Sequence, residues 1–302
     1  MRKTAWVMTA AALSLSGCGM GVSAVHITRT SPPAPAVPRS TSPSGSAPRS
    51  HDRDTSSTAP AAPPRRAASP GGGPGWLAPT AAGVLTGKAI AVDPGHNGGN
   101  ATAPAIINRI IWNGRETETC DTTGTQTDSG YPEALFNWNV AVYLTADLRA
   151  AGATVVLTRT TNTGVGPCVT QRAAIGNQAH ANAAVSIHAD GGPASGRGFA
   201  ILEPVADGIN NAIIRPSDRL AADLRAAFAA GTGEPVSSYD GIDGIQPRNN
   251  LAGTNLSTVP KVFIECANMR NPTDAALVTS TAWQAKAARA IAAGLTTFLT
   301  QR

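Results

Sequence analysis

From about residue 83 onward, apolar residues along this chain follow two rhythms. Short, mostly apolar runs at 88–92, 153–157, 183–187, 198–202 and 259–264, the second of them β-branched, have the length of buried strands. Between them the apolar positions fall at helical spacing. Leu135, Trp138, Val142 and Leu148, with Ala141 and Leu144 between them, predict a helix that starts around Tyr131-Pro132-Glu133 and stops at Gly152. A second helix is predicted over 169–181, a third over 216–230 with Leu220, Leu224 and Phe228 four apart, and an Ala-rich one over 273–299. Strands alternating with helices call for an α/β sheet covered on both faces. Residues 231–253 read as a polar, glycine-rich loop. Residues 97–130 read as a long irregular section. Its apolar island at Ile106-Ile107 and Ile110-Ile111-Trp112 runs into an Asn113-Gly114 turn, which suggests a hairpin. A section of that length is expected to border a functional cleft.

The chain ahead of residue 83 has a different composition. Met1-Arg2-Lys3 is basic, an apolar stretch follows, and Leu15-Ser16-Gly17-Cys18 resembles a bacterial lipobox. Residues 1–17 are therefore expected to be a secretory signal peptide, too short in its apolar part to span a bilayer, with Cys18 lipidated as the mature N-terminus. Residues 18–82 are Pro-, Ser-, Thr- and Ala-rich, a composition that buries too little apolar surface to fold, and are expected to be a disordered tether. Residues 83–302 remain as a single catalytic domain. This organisation implies an exported protein held at the outer face of the cytoplasmic membrane by its lipid anchor.

Dividing the charge changes its meaning. Of 24 Lys/Arg and 19 Asp/Glu, eight basic and two acidic residues lie in 1–80. The folded part is left nearly neutral, which argues against a nucleic-acid partner. Beyond Cys18 the cysteines are Cys120 and Cys168, both in Gly/Thr-rich loop sequence, and Cys266, after an apolar strand. In an exported protein Cys120 is expected to pair with Cys168 and Cys266 to stay buried and reduced.

Three of the strands run into side chains suited to catalysis. The first ends in Asp93-Pro94-Gly95-His96, the third in Ser186-Ile187-His188, and the last in Phe263-Ile264-Glu265, while Glu133 opens the first helix. Such strand ends can converge on one edge of an α/β sheet. Two histidines and a carboxylate suit a catalytic zinc with one open position, and a second carboxylate can carry the proton. Each residue also has a structural reading. Glu133 can simply complement a helix N-terminus, and His188 can bond to backbone. Glu265 is harder to explain so, because an acid placed straight after Val-Phe-Ile must offset its desolvation. Asp93 and Asp190 are expected to brace loops rather than bind metal.

Val92-Asp93-Pro94-Gly95-His96, Glu133 ahead of Phe136-Asn137, Ser186-Ile187-His188-Ala189 and Phe263-Ile264-Glu265 together resemble the ordered signature of zinc-dependent N-acetylmuramoyl-L-alanine amidases. The likeness extends over the connecting 152–159 segment, Arg172 and the loop at Leu251. It implies a twisted, mainly parallel six-stranded sheet flanked by helices. It also implies one Zn2+ held by His96, Glu133 and His188, with Glu265 as catalytic acid/base. The substrate would be peptidoglycan or a muropeptide, cut between the muramic acid lactyl group and L-Ala, by an enzyme expected to be a monomer. Two other readings stay open: a non-catalytic wall-binding or activator protein on the same scaffold, and a zinc peptidase of the stem peptide.

Overall fold

The first strand, β1 (Ala89–Pro94), buries every residue after Ala89, as a central strand covered on both sides must. In the computed structural model of the protein, which describes Leu77 and residues 79–301, the chain continues from β1 through a 3-10 turn (Asn100–Thr102) and a single helical turn, α1 (Pro104–Ile107). It then forms a hairpin of β2 (Ile110–Trp112) and β3 (Thr117–Thr119). Thereafter come α2 (Glu133–Ala150), β4 (Thr154–Leu157), α3 (Val169–Gln178), β5 (Ala183–Asp190) and β6 (Ala200–Pro204). The last part comprises α4 (Ile214–Thr232), β7 (Ile245–Arg248), α5 (Ala252–Asn255), β8 (Lys261–Asn268), α6 (Pro272–Val278) and α7 (Thr281–Thr300). The expected signal peptide, the lipidated Cys18 and most of the tether lie outside the described residues.

Six strands form one sheet in the order β4-β1-β5-β8-β6-β7. β4, β1, β5 and β8 are mutually parallel; β6 runs antiparallel to β8 and pairs in parallel with β7. The sheet is thus mainly parallel with helices on both faces, as expected. Alternation along each strand decides which residues face which layer. Ile90 and Val92 of β1, Val185 and Ile187 of β5, and Val262 and Ile264 of β8 share the large core with α2, α4 and α7. Their sequence neighbours point to the face covered by α3 and α5, where the apolar cluster is only Ala91, Ala181, Ala184 and Val259. Asp93, Ser186, His188, Lys261, Phe263 and Glu265 all stand in that second parity. The polar residues of the central strands are therefore gathered on one face by the period of two.

Two expectations need correcting. The 231–253 stretch is more than loop, since it contributes the edge strand β7 and the turn of α5; β7 is short, half exposed and carries Pro247, so it lacks the apolar run that marks a central strand. The C-terminal helix is two helices. Ser280 caps α7 by accepting from Trp283 N, and Asn271 caps α6 with Pro272 at its first position. The hairpin and the Cys120–Cys168 disulfide match the sequence reading, and Cys266 is buried and free.

A second charge group lies at the end of β8, where the buried Asp274 accepts from Asn268 N and Gly198 N. Arg197 donates through Nη2 to both Glu234 oxygens at 2.8 and 2.9 Å and contacts Asp274 through Nε at 3.1 Å. One guanidinium serves two buried carboxyls. Burial, with the adjacent Asp274 charge, pushes Glu234 up to about 7 despite its Arg197 hydrogen bonds. The folded state therefore holds that proton more tightly than the unfolded chain, and the stabilisation is complete below about 4.5 and lost as pH rises through about 7. Glu234→Gln, which mimics the protonated form, is expected to gain stability relative to the parent across that window. Denaturant midpoints at several pH values check this; a difference independent of pH would exclude Glu234 as the titrating group.

Candidate active site and metal centre

β1 delivers His96 through a turn that its sequence makes obligatory. Gly95 N continues the sheet by donating to Ile187 O at 3.0 Å, and His96 then adopts a left-handed conformation with φ 54°. A Cβ on Gly95 would stand 2.1 Å from His188 Cε1, so only glycine lets the neighbouring imidazole lie across this position. Gly124, at φ +73°, is confined in the same way from the other side, its Cβ direction blocked by His96 Cδ2 at 2.7 Å and Glu133 Oε2 at 2.8 Å. The two rings meet edge to face with centroids 5.0 Å apart.

Glu133 lies between them. It is the first residue of α2 and 4 % exposed, with Oε1 2.9 Å from His188 Nδ1 and Oε2 3.2 Å from His96 Nε2. Thr125 N donates to Oε2 at 2.9 Å and Asn137 Nδ2 to Oε1 at 3.3 Å, which fixes the carboxylate plane. One ligand atom from each of His96, Glu133 and His188 lies within 4.8 Å of the others. Behind His96, Asp121 Oδ1 is 3.2 Å from Nδ1 and orients the ring with Nε2 inward. Burial alone would lower the His96 imidazole, but Glu133 and Asp121 overcome it and push its pKa up to about 10. Burial likewise opposes ionisation of Glu133, yet the two imidazoles hold its carboxyl well below the usual range. A site that retains a proton this firmly has surplus negative charge to offer a cation. Imidazole and carboxylate donors, an oriented ring and that charge fit a zinc ion.

Glu265 comes from the next strand. It is in register with His188 on β8, so the two side chains emerge on the same face. Its Oε2 is buried and has no hydrogen-bond partner. Burial, then the charges of Glu133 and Asp190, raise its carboxyl well above the ordinary range, and Phe263, two residues earlier, stacks on His188 at 5.4 Å. A carboxyl with one buried oxygen lacking a hydrogen-bond partner, in register with His188, is a candidate proton carrier for this site.

Arg172 ties the ligand turn to the rest of the molecule. Its Nη1 donates to Asp93 Oδ1 and Pro94 O, each at 2.8 Å, and its Nη2 to His96 O at 2.8 Å and Asn97 Oδ1 at 2.9 Å. Asp93 also accepts from Thr158 and Ser186, each at 2.6 Å, and from Lys261 Nζ at 3.3 Å. Burial works against this carboxylate, but Lys261, Arg172 and the two hydroxyls hold it far below the usual range. Asp93 is thus a brace. Asp190 accepts from Gly191 N and stands against Tyr239. His180 is exposed in the turn after α3, and His26 and His51 lie outside the described residues. Asp121 and Lys261 carry no local sequence signal that the fold will bring them to the site, whereas Asn137 belongs to the Phe136-Asn137 pair that follows Glu133 in the motif.

A cavity of about 170 Å³ opens beside the two imidazoles, walled by Val169 and Arg172 of α3, Leu251, Phe263 and, from the hairpin and the segment after it, Thr119 and Thr122. The 97–130 section therefore borders the cleft, as its length suggested. Glu133 and Glu265 do not line this cavity.

The family of N-acetylmuramoyl-L-alanine amidases (Amidase_3) matches residues 90–297. A curated N-acetylmuramoyl-L-alanine amidase of Mycobacterium tuberculosis is 42% identical over 216 residues, covering 71% of this chain and 88% of that protein. The crystal structure of the N-acetylmuramyl-L-alanine amidase from Mycobacterium smegmatis superposes with a TM-score of 0.69 at 41% identity, over 72% of this chain and 99% of that one. The apo form of the enzyme from Mycobacterium abscessus gives 0.68 at 39% identity, over 71% and 100%. With strand order, the cluster of His96, Glu133 and His188 that could hold a metal, and the likeness all in agreement, this chain belongs to the Amidase_3 family of N-acetylmuramoyl-L-alanine amidases and is a peptidoglycan hydrolase of that class.

Proposed function

We propose that the chain hydrolyses the amide between the lactyl group of N-acetylmuramic acid and the L-Ala of the stem peptide, using one zinc ion and the carboxylate of Glu265. His96, Glu133 and His188 would hold the ion, which when bound supplies a Lewis acid to polarise the carbonyl and acidify a water. Asp121 keeps the His96 ring turned for this task, and Thr125 N and Asn137 do the same for Glu133. Glu265 takes the proton of the attacking water and passes it to the leaving amine, so the alanine nitrogen departs neutral. The observation that carries the reading is the partnerless, buried Glu265 oxygen beside the three converging ligand atoms. It favours an enzyme over a wall-binding scaffold, which has no use for a half-buried acid with one oxygen shielded from both solvent and partners.

Mass analysis of fragments from digested peptidoglycan tests the reaction. Release of free stem peptides beginning in L-Ala is expected, whereas cuts within the stem would make the chain a peptidase. His96→Ala is expected to lose the metal, read by elemental analysis of the purified protein; stoichiometric zinc in that variant would refute the ligand assignment. In the same reading, residues 1–17 direct export, lipidated Cys18 anchors the protein to the membrane, and 18–82 tether a monomeric catalytic domain spanning 83–302 within reach of the wall. At about 60 residues a flexible tether has an r.m.s. reach of roughly 45 Å. Metabolic labelling with a fatty-acid analogue, lost in Cys18→Ala, tests the anchor.

A further inference from the structure

We propose that the Cys120–Cys168 disulfide is a positioning element for the metal centre: it ties together the two supports of His96, so that full zinc affinity depends on the bridge being formed. The proposal rests on the ligand assignment above and adds what keeps the first of those ligands in place.

The two half-cystines stand next to those supports. Cys120 directly precedes Asp121, whose Oδ1 is 3.2 Å from His96 Nδ1. Thr122, the next residue, presents its carbonyl oxygen to the same ring nitrogen, also at 3.2 Å. Cys168 is the N-cap of α3, one helical turn ahead of Arg172, whose Nη2 donates to His96 O at 2.8 Å. One sulfur therefore adjoins the group that orients the imidazole, and the other begins the helix that holds its backbone. Val169 N donates to Cys120 O at 2.9 Å and Arg109 Nη2 to Cys168 Sγ at 3.3 Å, so hydrogen bonds close the junction on both sides of the bridge.

Little else fixes the Asp121 segment. Residues 97–130 contribute no side chain to either apolar cluster of the sheet. Their buried apolar side chains are Ile107 and Cys120, while Ile106, Ile110 and Trp112 are exposed. A segment without a core of its own relies on directional bonds. Asn97 Nδ2 donates to Asp121 Oδ2 at 2.8 Å and Asn100 Nδ2 to Thr122 O at 2.6 Å. Both donors belong to the His96 turn itself and move with it. The disulfide instead joins the segment covalently to α3, which packs on β1. It links positions 48 apart in sequence, a strong restriction on the freedom of the chain between them.

An imidazole that binds metal takes its orientation from the partner of its other nitrogen, and losing that partner weakens metal binding by about 10- to 100-fold. Releasing Asp121 from its covalent support should act in the same way. The bridge forms by exchange, as a partner disulfide is reduced to two thiols while Cys120 and Cys168 are oxidised. The metal site then reaches full strength only in an oxidising compartment.

Zinc dissociation constants, measured by competition with a chromophoric chelator, test this without an activity assay. In the double variant Cys120→Ser/Cys168→Ser the constant is expected to rise by about 10- to 100-fold, with stoichiometric binding retained. Asp121→Asn is expected to weaken zinc by a similar factor in the parent, but by less than about threefold in the serine background, because the bridge acts through Asp121. The parent reduced with a phosphine is expected to match the serine variant, and to regain its original constant after oxidation by glutathione disulfide. An unchanged constant in the serine variant, or effects of the two changes that multiply in full, would overturn the proposal. So would unfolding of both the serine variant and the reduced parent, read by circular dichroism, because the bridge would then support the whole domain rather than the site. The ligand assignment is checked separately by zinc loss in His96→Ala, so a failure of one is not mistaken for a failure of the other.

Discussion

Glu265→Gln is expected to lower kcat on a soluble muropeptide by about 10²- to 10⁴-fold while zinc content stays stoichiometric. The size of the effect follows from what glutamine keeps and what it loses. It keeps the volume of a side chain set between Ile264 and Cys266, both fully buried, so packing on β8 is preserved. It loses the ability to accept the water's proton. It also removes one of the negative charges crowded near Glu133 and Asp190, so the folded state gains rather than loses. The expected result is a stable, metal-loaded, inactive protein. That pattern is distinct from His96→Ala, where metal and activity are lost together. Single-turnover assays with elemental analysis on the same preparation decide the matter; activity within about tenfold of the parent would remove Glu265 from its role.

Arg172→Met is expected to destabilise the domain by about 3–5 kcal/mol, because the guanidinium is 3 % exposed and is the shared partner of two buried carboxylates. Methionine fills much of the space but leaves Asp93 with only Lys261 and two hydroxyls, and Asp121 without a full cation. The carbonyl of His96 and the side chain of Asn97 lose their donor in the same change. Stability and metal affinity should therefore fall together, although Arg172 touches none of the three ligand side-chain atoms. For a domain of this size the loss corresponds to a drop in Tm of roughly 10 °C. A shift under about 2 °C, with zinc affinity unchanged, would show that Lys261 alone suffices to support the turn.

The class of the fold, the main strands and helices, the placing of His96, Glu133 and His188 as one cluster and the cysteine pair were all legible in the amino-acid order. These are legible because each has a local cause. Buried strands need apolar runs, Gly152 ends a helix, and a strand that runs into Pro-Gly-His or into Glu must present that side chain at its end. Alternation puts Phe263 and Glu265 on one face of their strand, whereas His188 joins that face only through the pairing of β5 with β8. Tertiary structure alone decided what surrounds them. The edge strand β7 is held by pairing with β6 rather than by its own composition. The break between α6 and α7 depends on one serine within a continuous Ala-rich pattern. Asp121 reaches His96 across 25 positions, and Arg172 reaches Asp93 across 79. The cavity is assembled from α3, α5, β8 and the hairpin section, whose order along the chain says nothing of their meeting. Hydrogen bonds and cavities of this kind are made between distant segments, whereas propensity and periodicity register only what a residue shares with its near neighbours along the chain.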